Sequence, residues 1–293
     1  MRNIKKVLIL CSRNSHRAPR LFNTYSCLSK DFDVAVLGDK KPKYINELNF
    51  NKIPSINRRF FSYFPRVSKI LCLIFFMRHF NIKKIHLKYL LKPIVVNVFK
   101  KLKKSNFDII VLHHIDLLPL LVYIKKNLDF KLVVNLHEYY PKEFEDQKDW
   151  YKMSKYWNEL CHSFMNNVDL FLSVNDSISQ AYIDNFNLDS NRFLTFPNVK
   201  MYYDLPVINN KGKIINLIHH GAAIPSRKIE NMISMVDFLP DNYVLNLMLL
   251  ERDPLYFNYL KSLESPRVKF LDPVDFNEIT KFLNQFDIGL YYL

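Results

Sequence analysis

Glycine is the scarcest structural signal in this chain. Only 4 occur in 293 residues, at Gly38, Gly212, Gly221 and Gly289, so close approach of a ligand to bare backbone is available at few places. The four cysteines, Cys11, Cys27, Cys72 and Cys161, contain no C-x-x-C pair. That argues against a disulfide framework or a zinc site and fits a reducing cytoplasm. Long apolar runs are missing too. VLILC near the N-terminus is too short for a signal sequence, and Ile70–Met77 (ILCLIFFM) is cut off by Arg78. HEYYP is not H-E-x-x-H, which excludes a zinc protease of that type.

Acidic residues are absent from 51–107. That stretch holds 14 of the 42 cations, and the remaining 28 balance the 28 acids elsewhere, so it carries the whole +14 excess. Between Phe60 and Phe99 it also holds nine aromatics. Three surfaces fit: a solvated face over core helices, a face on anionic lipid, or a nucleic-acid groove. No C₂H₂, KH or RNP-like pattern supports the last, and no nucleic acid is expected. Basic residues near anionic lipid contribute about 1 kcal/mol each, and aromatics bury among headgroups. A peripheral site on the inner face of the cytoplasmic membrane is the expectation. Pro65 and Pro93 divide the stretch into two or three helices.

What is present is alternation. The 49% apolar content is enough for a large core. Strands are predicted at Lys5–Ser12, Asp33–Gly38, Phe107–His114, Lys131–Glu138 and Val168–Asn175, with helices between, the last strand running into a helix capped by Asp176 or Ser177. After Phe193 the segment FPNVKMYYDLPVINNKGK reads as a linker. Alternation then restarts, with strands at Ile214–Gly221, Tyr243–Leu250, Val268–Pro273 and Asp287–Leu293. Near-continuous Val, Ile and Leu strands between helices imply parallel sheets covered on both faces. The expected fold is α/β, two Rossmann-like domains, 1–205 and 206–293. The second ends on a strand without its covering helix, so a truncated second domain is expected.

Ligands of open α/β sheets bind beyond the carboxyl ends of the strands. Gly221 is expected at such an end, followed by a helix whose free N–H groups attract an anion. Arg227 and Lys228 add two charges, Arg as a fork and Lys as a point charge. The physical reading is a diphosphate site, with Ala222 and His220 beside it. His219 and His220 are expected to split, one near the phosphates and one structural. His113, His114 and Asp116 lie at another strand end. Adjacent strand residues point to opposite faces, so one histidine should line the site and one pack, with no metal. His114 and His16 are acceptor-side candidates.

Two such domains, a linker and G-x-x-x-x-x-R-K after the second domain's opening strand resemble a GT-B glycosyltransferase. The nearest likeness is to the retaining family 4 enzymes of bacterial surface polysaccharides. The resemblance implies that Lys228, with Arg227 beside it, holds the donor diphosphate. LHEYYPKE (Leu136–Glu143) is similar to a segment whose histidine faces the donor sugar. That carries over to His137, with Glu138 as its neighbour. FPNV resembles the segment before the family's interdomain linker, with Asn198 as the matching residue. Ala222 stands where the family often has an arginine, and SRNSHRAPR (Ser12–Arg20) lacks the family's glycine-rich turn. The acidic pair of the family has no counterpart here.

The resemblance implies a metal-independent, cofactor-free transfer of a sugar from a nucleotide-sugar donor to a lipid-linked or polysaccharide acceptor. His137, Lys228 and Arg227 are its expected catalytic residues. The alternatives are a nucleotide-sugar 2-epimerase of the same fold, or a truncated homologue that only binds membrane.

Overall fold

The computed structural model describes residues 4–12, 18–41, 49–52, 102, 106–143, 145, 150–199, 202–206, 214–275 and 278–291. The chain divides into two compact units, Met1–Lys200 and Met201–Leu293.

The first unit is a seven-stranded parallel sheet. Its strands are β1 (Lys6–Cys11), β2 (Asp33–Gly38), β3 (Asn49–Lys52), β4 (Ile109–His113), β5 (Lys131–Leu136), β6 (Leu170–Ser173) and β7 (Phe193–Thr195). Their order is β3-β2-β1-β4-β5-β6-β7, and every pair is parallel. Helices α1 (Pro19–Leu28), α2 (Leu118–Lys125), α3 (Trp150–Phe164) and α4 (Asp176–Phe186) connect them. In β1 every residue after Lys6 is buried. That is the pattern of a strand covered on both faces. Strand alternation sends Leu8 and Leu10 to a core shared with Leu118, Leu121 and Leu160. Val7, Ile9 and Cys11 go to the other face, against Leu21 of α1. The strand order reverses between β1 and β4, and ligands of such sheets bind at that crevice.

The second unit is a four-stranded parallel sheet in the order β10-β9-β8-β11. Its elements are β8 (Ile215–Ala223), α5 (Ile229–Met235), β9 (Tyr243–Glu251), α6 (Pro254–Lys261), β10 (Val268–Leu271), α7 (Ile279–Leu283) and β11 (Ile288–Gly289). Leu217, Leu245, Leu247, Ile229, Met232 and Leu260 form its core. Here the order reverses between β8 and β11.

Several elements differ from the sequence reading. β3 is polar, NFNK, and gave no strand signal; it pairs in register with β2. β7 lies just before the expected linker, in a stretch assigned no element, because backbone pairing with β6 needs no apolar pattern at a sheet edge. The cap of α4 is Asn175, whose Oδ1 accepts from Ile178 N at 2.8 Å, not Asp176 or Ser177. β8 continues two residues past Gly221, so that glycine lies within the strand and not in the turn. Of the basic stretch 51–107, residues 53–101 and 103–105 lie outside the described residues.

One local device recurs in both units. An aspartate at or just before the start of a strand accepts a backbone N–H near the start of its neighbour. Asp108 takes Lys6 N at 2.7 Å, Asp169 takes Leu132 N at 2.7 Å, and Asp287 takes Asn216 N at 2.7 Å. These bonds set the register at the amino edge of each sheet. Asp287→Ala is expected to lower the stability of the second unit by about 1 kcal/mol, read by urea unfolding. An unchanged midpoint would show that β11 docks without it.

Candidate active site

In the first unit, polar residues gather at the carboxyl ends of β1, β4 and β5, at the crevice between β1 and β4. Ser12, just past β1, donates its hydroxyl to both oxygens of Asp116, at 2.9 and 3.1 Å. Both residues are buried. This pair ties the loop after β1 to the loop after β4.

His113 is the last residue of β4, and His114 follows with φ 78°. A non-glycine residue held there costs about 1–3 kcal/mol. The positive φ breaks the alternation of the strand. Both imidazoles therefore approach His137, with ring centroids at 5.1 Å from His113 and 5.5 Å from His114. His113 is buried and His114 only half-buried, so the two differ in exposure although both rings approach His137. His137 directly follows β5 and is buried.

His113 and His137 are neutral. Burial, then the neighbouring His114 and Arg20, lower the His113 pKa from 6.5 to about 3. Burial, then His113, Arg20 and His114, lower that of His137 to about 2. Among the described residues, His113 Nε2 and His137 Nδ1 are buried with no hydrogen-bond partner. A neutral imidazole of such low basicity is a poor general base. It can still donate or accept a hydrogen bond.

Tyr140 lies 3.2 Å from His114 Nδ1 through its hydroxyl. Burial holds the Tyr140 pKa well above 10, so the phenol keeps its proton and shares a hydrogen bond with the ring nitrogen. Tyr140 N donates to the Tyr182 hydroxyl at 3.0 Å, and that hydroxyl donates to Glu138 O at 3.0 Å. The Glu138 carboxylate is exposed and lies 3.6 Å from the Arg20 guanidinium. Asn198 is exposed beyond β7, in a segment tied to α1 by Asn23 Nδ2 donating to Val199 O at 2.9 Å. His16 lies outside the described residues.

In the second unit the candidates meet at the carboxyl end of β8. A Cβ on Gly221 would collide with Arg227 Nη1 and stand 3.7 Å from His219 Nε2. The glycine therefore makes room for a guanidinium laid against the strand. The described residues offer Arg227 and Lys228 no carboxylate within salt-bridge distance. Lys228 is exposed and adopts φ 44°, ψ 49°, the left-handed region that favours glycine. Arg227, and not Lys228, sits beside Gly221. Alternation puts His219 on the face of Gly221, while His220 is exposed on the opposite face with Ala222.

The helix start carries less than the sequence suggested. A 3₁₀ turn (Pro225–Arg227) precedes α5, which has only seven residues. The first α5 amide, Ile229 N, already donates to the Tyr256 hydroxyl at 2.8 Å, and that hydroxyl in turn bonds the Glu230 carboxylate. The Tyr256 pKa is pushed up to about 12, by burial first and then by the bond to Glu230.

Sequence reasoning missed Arg20 and Tyr182 as parts of the first cluster. It also missed that Asp31-Phe32-Asp33 spells a D-x-D triplet. The structure puts that triplet at the amino end of β2, the end opposite the histidines. No group of three His, Cys, Asp or Glu among the described residues is arranged to hold a metal ion.

Two parallel doubly wound units with polar clusters at their strand-reversal points define the class, the Rossmann-like architecture of GT-B glycosyltransferases. The sequence model of Glycosyltransferase Family 4 matches residues 29–199, more than half of the chain. The chain belongs to that family, and it is a glycosyltransferase.

Solved structures agree on the fold. Anabaena Alr3699/HepE in complex with UDP-glucose is similar over 98% of this chain and 73% of its own, with TM-score 0.65 and 13% identity. Sucrose-phosphate synthase from Thermosynechococcus elongatus is similar over 97% and 74%, with TM-score 0.65 and 12% identity. The lipopolysaccharide outer core galactosyltransferase WaaB in its apo form is similar over 96% and 71%, with TM-score 0.58 and 10% identity. No curated protein matches the chain in sequence.

The buried histidines make stability depend on pH. Their folded pKa values lie below the unfolded value of 6.5, so the unfolded chain binds protons first as pH falls. Stability is full above about pH 6.5 and is lost from there toward about pH 3. Each histidine adds up to about 1.4 kcal/mol per pH unit to the slope within that window. Urea unfolding from about pH 7 to about pH 4.5 should show a steeper loss for the wild type than for His113→Asn. Equal slopes would mean that His113 is not buried neutral.

Proposed function

We propose that the chain moves a sugar from a nucleotide-sugar donor to a lipid-linked or growing glycan acceptor, with retention, in bacterial surface polysaccharide synthesis. The carrying observation is the Arg227 guanidinium resting on the bare backbone of Gly221, with no described carboxylate to neutralise it. In the reaction the bond from the anomeric carbon to the diphosphate oxygen breaks and a bond to the acceptor hydroxyl oxygen forms. The acceptor proton passes to the leaving diphosphate, which gains negative charge as the bond breaks. A fixed guanidinium where charge develops lowers the barrier without a metal. Lys228 adds a second, mobile positive charge. His137, neutral at working pH, positions the donor sugar by hydrogen bonding and does not act as a base. Ser12–Asp116 and His114 belong to the acceptor side of this reading. Family membership favours transfer over 2-epimerisation.

UDP serves as the probe, since HepE is solved with UDP-glucose. Arg227→Ala should weaken UDP binding about 10- to 100-fold, the scale of a charge-assisted bond, measured by calorimetry. Lys228→Gly should cost less, because it also relieves the left-handed backbone. Unchanged affinity in Arg227→Ala would refute the diphosphate assignment.

The inner face of the cytoplasmic membrane is the proposed location, on the strength of the 14 cations and no acids in 51–107. No helix among the described residues is long and apolar enough to cross a membrane. The full chain should sediment with anionic vesicles and be released by salt, because surface charge attraction is screened beyond about 10 Å at 0.1 M. Equal sedimentation with neutral and anionic vesicles would contradict this.

A further inference from the structure

We propose that His219 is the second wall of the diphosphate niche, and that its Nε2 takes a proton from solvent when a diphosphate settles against Arg227. The inference rests on reading Arg227 as the diphosphate ligand, and it adds a proton to that binding event.

The geometry begins with the tautomer. His219 Nδ1 lies 3.0 Å from the carbonyl oxygen of Leu290, just past β11. A carbonyl only accepts, so the ring proton sits on Nδ1 and Nε2 keeps its lone pair. His219 is buried, and its Nε2 has no hydrogen-bond partner among the described residues. A buried acceptor left unpartnered is able to take a proton or a donor from a ligand.

Nε2 faces the same niche as the guanidinium. The absent Cβ of Gly221 would stand 3.7 Å from Nε2 and overlap Arg227 Nη1. Arg227 Nη1 therefore fills the place of the missing Cβ, with the bare imidazole nitrogen on the same face of the strand. The charged group acting on His219 is Arg227, from the turn after β8. From the β11 side come the Leu290 carbonyl and the Tyr291 ring, whose centroid lies 6.4 Å away. Burial first, and Arg227 after it, hold the pKa of His219 below 6.5, so the empty niche contains a neutral imidazole.

A diphosphate reverses that balance. Its negative charges offset Arg227, and an anion within about 4–6 Å raises a histidine pKa by about one to three units. Protonated Nε2 then donates to a phosphate oxygen that the neutral ring could not serve. The step is one proton from solvent, one histidine and one anion; it needs no other reactant. In the transfer reaction the same proton lies beside the oxygen on which charge develops.

Proton NMR of the histidine rings in the full chain tests this directly, with inorganic pyrophosphate and UDP as probes. His219→Asn assigns the signal and keeps an amide N–H for the Leu290 carbonyl. The free His219 pKa should lie below 6.5 and rise by about one to three units with either probe at saturation. Arg227→Ala should raise the free pKa and remove most of the response to the probe. A probe that binds through Arg227 while the His219 pKa stays put would overturn the inference and leave the diphosphate reading standing. A free pKa that ignores Arg227→Ala would overturn it as well. No Arg227-dependent binding of either probe would remove the diphosphate reading, and this inference with it.

Discussion

A guanidinium can lie against a β-strand only where the strand has no side chain in the way. At Gly221 the missing Cβ is replaced by the terminal nitrogen of Arg227, six residues later, brought back by a 3₁₀ turn. Strand β8 supplies the rigid floor, paired with β9 along its whole length, while β11 covers only Leu217 and Ile218 on the other edge. A positive charge at an uncovered strand end suits a leaving diphosphate. The left-handed backbone at Lys228 belongs to the same device. It turns the chain from the 3₁₀ segment into α5, and it is a place where glycine would cost less than lysine.

The first unit works by the opposite means. Its site is built from imidazoles kept neutral by burial and by each other, with Arg20 pushing the same way. The strained backbone at His114 brings a second ring to His137 that regular strand geometry would have turned away. Tyr140 and Tyr182 then join the loop after β5 to α4 through two hydrogen bonds. Such a cluster favours precise hydrogen bonding over acid–base chemistry.

Much of the fold was legible because buried parallel strands are continuous runs of Val, Ile and Leu, and those runs mark β1, β4, β5 and β9 directly. β3 and β7 were not legible: at a sheet edge the backbone does the pairing, and NFNK or FLT need show no pattern. In the site, residue types were easier to read than directions. The basic pair after Gly221 stood out, yet only the 3₁₀ turn shows that Arg227, and not Lys228, comes back to the glycine. The same holds for His113 and His114, where the alternation rule fails at one dihedral angle. Arg20 and Tyr182 join the site through long-range packing, for which a single sequence holds no local signal. The clearest signal for His219 was its spacing two residues before Gly221, which puts both on one face of the strand.

The most direct test of the central claim is a double-mutant cycle on UDP affinity with Gly221→Ala and Arg227→Ala. If the glycine exists to seat the guanidinium, Gly221→Ala should weaken binding nearly as much as Arg227→Ala, and the double variant should bind no worse than Arg227→Ala alone. Wild-type affinity in Gly221→Ala, or fully additive losses, would contradict the account.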